Sequence, residues 1–133
     1  MKVDAVLRAK GNRIVCVGMT ASVERAAHLL KAENIGAVVV KDTCGTEGDV
    51  VLGMLSERDI VRALADHGPA CLRMPVSAVM SRAVVSCQPR DDVDDVIDKM
   101  RAHQIRHVPV LDGDALIGIV SIRDVMAAPA LPA

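Results

Sequence analysis

No phenylalanine, tyrosine or tryptophan occurs anywhere in the 133 residues of this chain. A platform that stacks the bases of a single strand needs such rings, so that mode of nucleic-acid binding is excluded. Net charge is −1 and no basic run exists, which removes electrostatic capture of a phosphate backbone as well. No stretch approaches the roughly 18 apolar residues of a membrane helix, and the opening MKVDAVLRAKGNR has no apolar core of signal-peptide length. The four cysteines, Cys16, Cys44, Cys71 and Cys87, form no C-x-x-C pair. Free thiols in a cytoplasmic protein are the expectation. H-E-x-x-H, the Walker loop and G-x-G-x-x-G are also missing, so nothing points to an enzyme.

What is present is an apolar complement of 51%, supplied mainly by Val, Ile, Leu, Met and Ala, and a sequence that repeats itself. Gly53-Met54-Leu55-Ser56-Glu57-Arg58-Asp59-Ile60-Val61 returns 65 residues later as Gly118-Ile119-Val120-Ser121-Ile122-Arg123-Asp124-Val125-Met126. Val23, Ala26, Ala27, Leu30 and Ile35 return 70 residues later as Val93, Val96, Ile97, Met100 and Ile105. The difference is a longer loop, Thr43 to Asp49, in the first copy. Val3 to Leu7 also returns, as Val76 to Met80.

Each copy reads as strand, helix, strand, strand, helix. The first strands are the β-branched runs Ile14 to Val17 and Val84 to Cys87. The helices that follow carry apolar residues at helical spacing, with Ser22 and Asp92 as N-caps. Asp91, Asp92, Asp94 and Asp95 crowd the second helix's positive end and read as capping and solubility, not as a metal site. The middle strands, Ala37 to Val40 and Val108 to Leu111, are apolar without alternation, as in strands buried on both faces. Val50 to Leu55 and Leu116 to Val120 complete the sheets, with turns at Gly45 and Gly48 and at Asp112-Gly113-Asp114. The closing helices span roughly 57–67 and 122–127, and Gly68-Pro69 ends the first. Methionines such as Met54, Met80 and Met100 read as core filler. One copy of about 60 residues cannot cover both faces of its sheet. The predicted fold is therefore α+β: two tandem β-α-β-β-α repeats, 1–68 and 69–133, packed sheet to sheet about a pseudo-twofold axis.

The chemistry lies in Gly-apolar-apolar-Ser-x-Arg-Asp, present twice. Ser-x-x-Asp at a strand-to-helix junction is a capping box. It is also a coherent nucleotide subsite: a carboxylate for two ribose hydroxyls, beside a hydroxyl and a guanidinium for phosphate. Gly53 and Gly118 interrupt β-branched strands three residues before each serine, which marks close approach of a ligand or of another backbone. Thr20 is either a turn residue or a hydroxyl within reach of a ligand. Arg106 is either a phosphate partner or a solvated surface group. His103 and His107 are four apart, but Ile105 opens the turn into a strand, so they do not make a metal pair.

These motifs resemble the cystathionine-β-synthase-type (CBS) domain family over about residues 3–127. In that family an apolar-Gly-x-x-Ser/Thr-x-x-Asp motif closes each repeat, its aspartate holding the ribose. An x-Pro-Val element on the middle strand lines the adenine slot. The resemblance implies a first ligand site of Thr20, Gly36, Ala37, Ser56, Arg58 and Asp59. It implies a second of Arg106, His107, Val108, Pro109, Ser121, Arg123 and Asp124. The first copy departs from the family at Gly36-Ala37-Val38-Val39, which has no proline, so its site differs in affinity or ligand. The implied function is a non-catalytic adenine-nucleotide sensor, binding AMP, ATP, ADP or NAD(H), without metal, as a stand-alone CBS pair that forms a homodimer. Small residues such as Ala26, Ala27, Ala63 and Ala65 suggest helical faces for that dimer. The rival reading is a structural or interaction protein with vestigial clefts. Which adenosyl compound is native, S-adenosylmethionine included, is not written in the sequence.

Overall fold

A computed structural model describes residues 1–11, 14–42 and 50–127. The turn expected at Gly45 and Gly48 lies outside those residues. The chain forms two compact units that are not contiguous halves of it. One is Val15–Val84; the other joins Met1–Ile14 to Val85–Ala133.

The first unit contains β1 (Cys16–Gly18), α2 (Val23–Glu33), β2 (Ala37–Lys41), β3 (Val51–Ser56) and α3 (Glu57–His67). Two 3-10 turns, Gly68–Arg73 and Val76–Ala78, follow α3. The second contains α1 (Val3–Lys10), α4 (Val93–His103), β4 (His107–Asp112), β5 (Ala115–Ser121) and α5 (Ile122–Met126). The architecture is therefore α+β, with a helix, two antiparallel strands and a closing helix repeated in both units. In the first unit β1 runs parallel to β2, and β2 antiparallel to β3. In the second, β4 and β5 form an antiparallel hairpin closed by Gly113 at φ 62°, a backbone region open to glycine at no steric cost. Val38, Val40 and Leu55 join Val23, Ala26 and Leu30 in one core. Val108, Val110 and Val120 join Val93, Val96 and Met100 in the other. Middle strand β2 is buried along its whole length, Ala37 to Val40 as their apolar run implies and Lys41 with them.

The segment that precedes each repeat in sequence packs on the opposite repeat. Val3 to Leu7 and Val76 to Met80, similar in sequence, do the same work in different units. Val3 N–H donates to Asp91 O at 2.9 Å, and Val76 N–H donates to Ala21 O at 2.8 Å. Val93 N–H donates to Met1 O and Val23 N–H to Met74 O, both at 2.9 Å. The two segments differ locally. The first makes two turns of helix before Gly11, at φ 93°, stops it. The second follows Pro75 and makes only a 3-10 turn before Ser81 bridges to Met54.

The predicted first strand of the second copy, Val84 to Cys87, is not a strand. It is a single parallel bridge, Cys87 to Val110. Two prolines explain the loss. In the first unit Val39 N–H donates to Val15 O, and Met19 N–H donates to Lys41 O. The matching residues 70 positions on are Pro109 and Pro89, which have no N–H to donate. Only the two inner bonds survive, Cys87 N–H to Pro109 O at 3.0 Å and Leu111 N–H to Cys87 O at 2.8 Å.

Three further expectations are corrected. Ser22 caps α2 through Arg25 N–H, but Asp92 makes no side-chain cap, because its carboxylate pairs with Lys2 at 2.8 Å. Cys16 is disulfide-bonded rather than a free thiol. Cys71 and Cys87 are free and buried, and burial pushes the Cys87 thiol up to about 11. Ala26 and Ala63, suggested for a dimer face, are core residues. Among the described residues no helix is long and apolar enough to cross a membrane.

Candidate ligand-binding corners

Each unit builds one corner where the middle strand begins and the closing helix starts. In the first unit Ala37 pairs with Ser56 across the ladder, and Glu57 N–H donates to Gly36 O at 3.0 Å. In the second, His107 pairs with Ser121, and Ile122 N–H donates to Arg106 O at 2.7 Å. The ladder register thus brings Gly36, Ala37, Ser56, Arg58 and Asp59 to one corner. It brings Arg106, His107, Ser121, Arg123 and Asp124 to the other, with Val108 and Pro109 buried just beyond on β4. Thr20 stands elsewhere. It follows β1, whose Gly18 pairs with Lys41 at the far end of β2. The steps of β2 from Lys41 to Ala37, which pairs with Ser56, span about 13 Å.

The capping reading holds at both corners. Asp59 Oδ2 accepts from Ser56 N–H at 2.9 Å and from the Ser56 hydroxyl at 3.1 Å, while Ser56 Oγ accepts from Asp59 N–H at 3.3 Å. Asp124 Oδ2 accepts from Ser121 N–H at 2.8 Å, and Ser121 Oγ accepts from Asp124 N–H at 3.1 Å. An ionised carboxylate offers about four lone-pair sites. Among the bonds of the described residues Asp124 accepts two, which leaves room for both ribose hydroxyls, and Asp59 accepts three, which leaves room for one. A cap and a ribose anchor are compatible in one residue.

Sequence reasoning missed the residues that hold each carboxylate from outside its motif. Ser81 Oγ donates to Asp59 Oδ1 at 3.0 Å. Lys10 Nζ donates to Asp124 Oδ2 at 2.6 Å and to Ile119 O at 2.7 Å. Both partners come from the segments that pack on the other repeat. The signal was the return of Val3 to Leu7 at Val76 to Met80, but similarity does not say where a segment docks. Burial raises the Asp124 carboxyl. The bonds from the Lys10 ammonium and from Ser121 outweigh it, so the group sits below the ordinary carboxylate value.

The two glycines answer to the same segments. A Cβ on Gly53 would lie 2.6 Å from Ser81 O and 2.9 Å from Met80 Sδ. A Cβ on Gly118 would lie 2.7 Å from Leu7 Cδ2. Close approach by the docked segment accounts for both positions, without a ligand. His103 ends α4 and His107 opens β4, and no group of three or more metal-binding side chains occurs among the described residues.

The CBS domain family model matches residues 11–66 and 76–131. Among solved structures, the chain is similar to a CBS-domain-containing protein from Agrobacterium tumefaciens, at 42% identity and a TM-score of 0.90, over 96% of this chain and 92% of that one. It is similar to the CBS domain pair of protein MJ0100 in complex with 5′-methylthioadenosine and S-adenosyl-L-methionine, at 25% identity and a TM-score of 0.82, over 98% and 96% of the two chains. It is also similar to CBS domain protein PAE2072 from Pyrobaculum aerophilum complexed with AMP, at 29% identity and a TM-score of 0.79, over 93% and 89%.

Proposed function

This chain belongs to the CBS-domain family, and on that premise we propose that it is a non-catalytic sensor that binds an adenine nucleotide, with AMP, ADP, ATP or NAD(H) as the ligand class. The observation that carries the reading is the pair of equivalent corners, each with an aspartate beside the start of the middle strand. The neighbouring structures that hold AMP, 5′-methylthioadenosine and S-adenosyl-L-methionine support an adenosyl ligand. Asp59 and Asp124 would accept ribose hydroxyls, and Arg123 and Arg106 would meet phosphate. Ligand would act by differing in affinity for two arrangements of the protein. A homodimer through the closing helices is part of the same proposal, on the exposed Val61 and Leu64 of α3 and Met126 of α5. A cytoplasmic location rests on the free thiols Cys71 and Cys87 and is opposed by the Cys16 disulfide.

Thermal melting with a panel of adenosyl compounds tests this. A nucleotide at 100 times its Kd adds about 2.7 kcal/mol of stability, roughly 10 °C for a chain of this size. No shift with any adenosyl compound at millimolar concentration would reject the reading. A second reading, that the motifs serve only as caps, draws on the completeness of both capping boxes and predicts that flat result.

A further inference from the structure

The two corners are alike in backbone and unlike in charge. At the first, Glu57, Arg58 and Asp59 sum to −1, and the partner that the docked segment supplies is the neutral Ser81 hydroxyl. Arg82 follows Ser81 but is turned to Ser77 O at 3.2 Å. At the second, Ile122 replaces Glu57 and Arg106 replaces Gly36. The docked segment there supplies the Lys10 ammonium instead, so Lys10, Arg106, Arg123 and Asp124 sum to +2.

Lys10 makes the difference at short range. Its ammonium lies 2.6 Å from Asp124 Oδ2 and neutralises the carboxylate that would otherwise repel a phosphate. Two of its three N–H donors are engaged by Asp124 and Ile119 O among the described residues. A flexible four-carbon stem carries a point charge well suited to a phosphate. A phosphomonoester brings about −1.5 to −2 at neutral pH. Adenosine, a methylthioadenosine or a sulfonium-bearing adenosyl compound brings no net negative charge.

Resting on the adenosyl-binding reading above, we propose that the two corners are sorted by ligand charge, with Lys10 as the specificity-determining residue. The Asp124 corner takes an anionic adenine nucleotide, and the Asp59 corner takes an adenosyl compound without net negative charge.

Calorimetric titration with AMP and with adenosine tests this. Asp59→Asn isolates the second corner and Asp124→Asn the first; asparagine keeps a cap acceptor in each case. At the Asp124 corner in low salt AMP should bind about tenfold or more tighter than adenosine, and the ratio should fall as salt rises. Adding Lys10→Met should abolish most of that preference, read as the ratio of the two affinities at that corner. At the Asp59 corner adenosine should bind at least as well as AMP. Ser81→Lys should shift that corner toward AMP, an independent arm if Lys10→Met unsettles α1. Equal binding of AMP and adenosine at the Asp124 corner overturns the inference. So does a preference that survives Lys10→Met, or a tightening of both ligands alike, which would make Lys10 a plug and not a selector. If wild-type protein binds neither these two nor any other compound of the melting panel, the adenosyl-binding reading itself fails and the inference falls with it; binding of other adenosyl compounds but neither of these overturns the inference alone.

Discussion

Asp124 carries three duties at once: helix cap, counter-ion to Lys10 and proposed ribose anchor. They separate by experiment. Losing two charge-assisted hydrogen bonds, each worth roughly 1.5–3 kcal/mol, should weaken nucleotide binding by Asp124→Ala about a hundredfold or more. Loss of the cap alone costs about 1 kcal/mol of stability and no affinity; calorimetry and chemical denaturation read the two quantities independently. The ion pair also sets a pH signature. The folded Asp124 carboxyl lies below its ordinary 3.8, so its stabilisation is complete above that value and is lost as pH falls through the lower folded one. The stability gap between wild type and Asp124→Asn should hold steady from pH 7 to about 4 and close below it; a gap that closes near neutrality would mean another group is responsible. The glycines are unequal for a related reason. Gly53 faces a backbone carbonyl, and Gly118 faces the tip of a leucine. Gly53→Ala should cost about 1–3 kcal/mol through overpacking, and Gly118→Ala distinctly less, by denaturant midpoint.

At the scale of elements, the missing strand shows that a family motif has a structural consequence. Val84-Val85-Ser86-Cys87 has the composition of a strand. It does not become one, because Pro89 and Pro109 remove the outer two ladder bonds that Met19 and Val39 make in the first unit. Pro109→Val should restore a slowly exchanging amide at position 109, donating to Val85 O. One hydrogen bond gains about 1 kcal/mol, and the freed unfolded chain takes back about 0.4–1 kcal/mol, so stability should change by less than about 1 kcal/mol. Free exchange at residue 109 would show that something other than the missing donor keeps the segment out of the sheet.

For the whole molecule, the exchange of docked segments means that the first ten residues belong energetically to the second repeat. Val3, Val6 and Leu7 are at most 3% exposed and lie in its core. Full burial of such side chains is worth about 1.5–3 kcal/mol each, a sum comparable with the whole stability of a small domain. Deleting residues 1–10 should therefore strip amide protection from β4 and β5 and leave β2 and β3 protected. Loss centred on the first repeat would refute the docking. Assembly is tested at Val61 and Met126, each 63% exposed. The pair Val61→Glu and Met126→Glu should turn a light-scattering dimer into a monomer, with melting little changed.

Repeat, fold class, helix spans and both capping motifs were legible in the sequence. Each is written in local periodicity: apolar spacing of 3.6 residues, β-branched runs and a serine three residues before an aspartate. α3 spans Glu57–His67 as the pattern predicts, and Ser22 caps α2. The tertiary structure decided what no local pattern encodes. Lys10 reaches Asp124 across 114 residues of sequence, and Ser81 reaches Asp59 across 22. Gly53 and Gly118 read alike as marking close approach of a ligand or of another backbone, until the docked segments accounted for them. Two similar segments could each have packed on either repeat by their apolar pattern. Burial, backbone pairing and charge chose between the partners, and those depend on where the chain goes, not on what lies beside each residue in sequence.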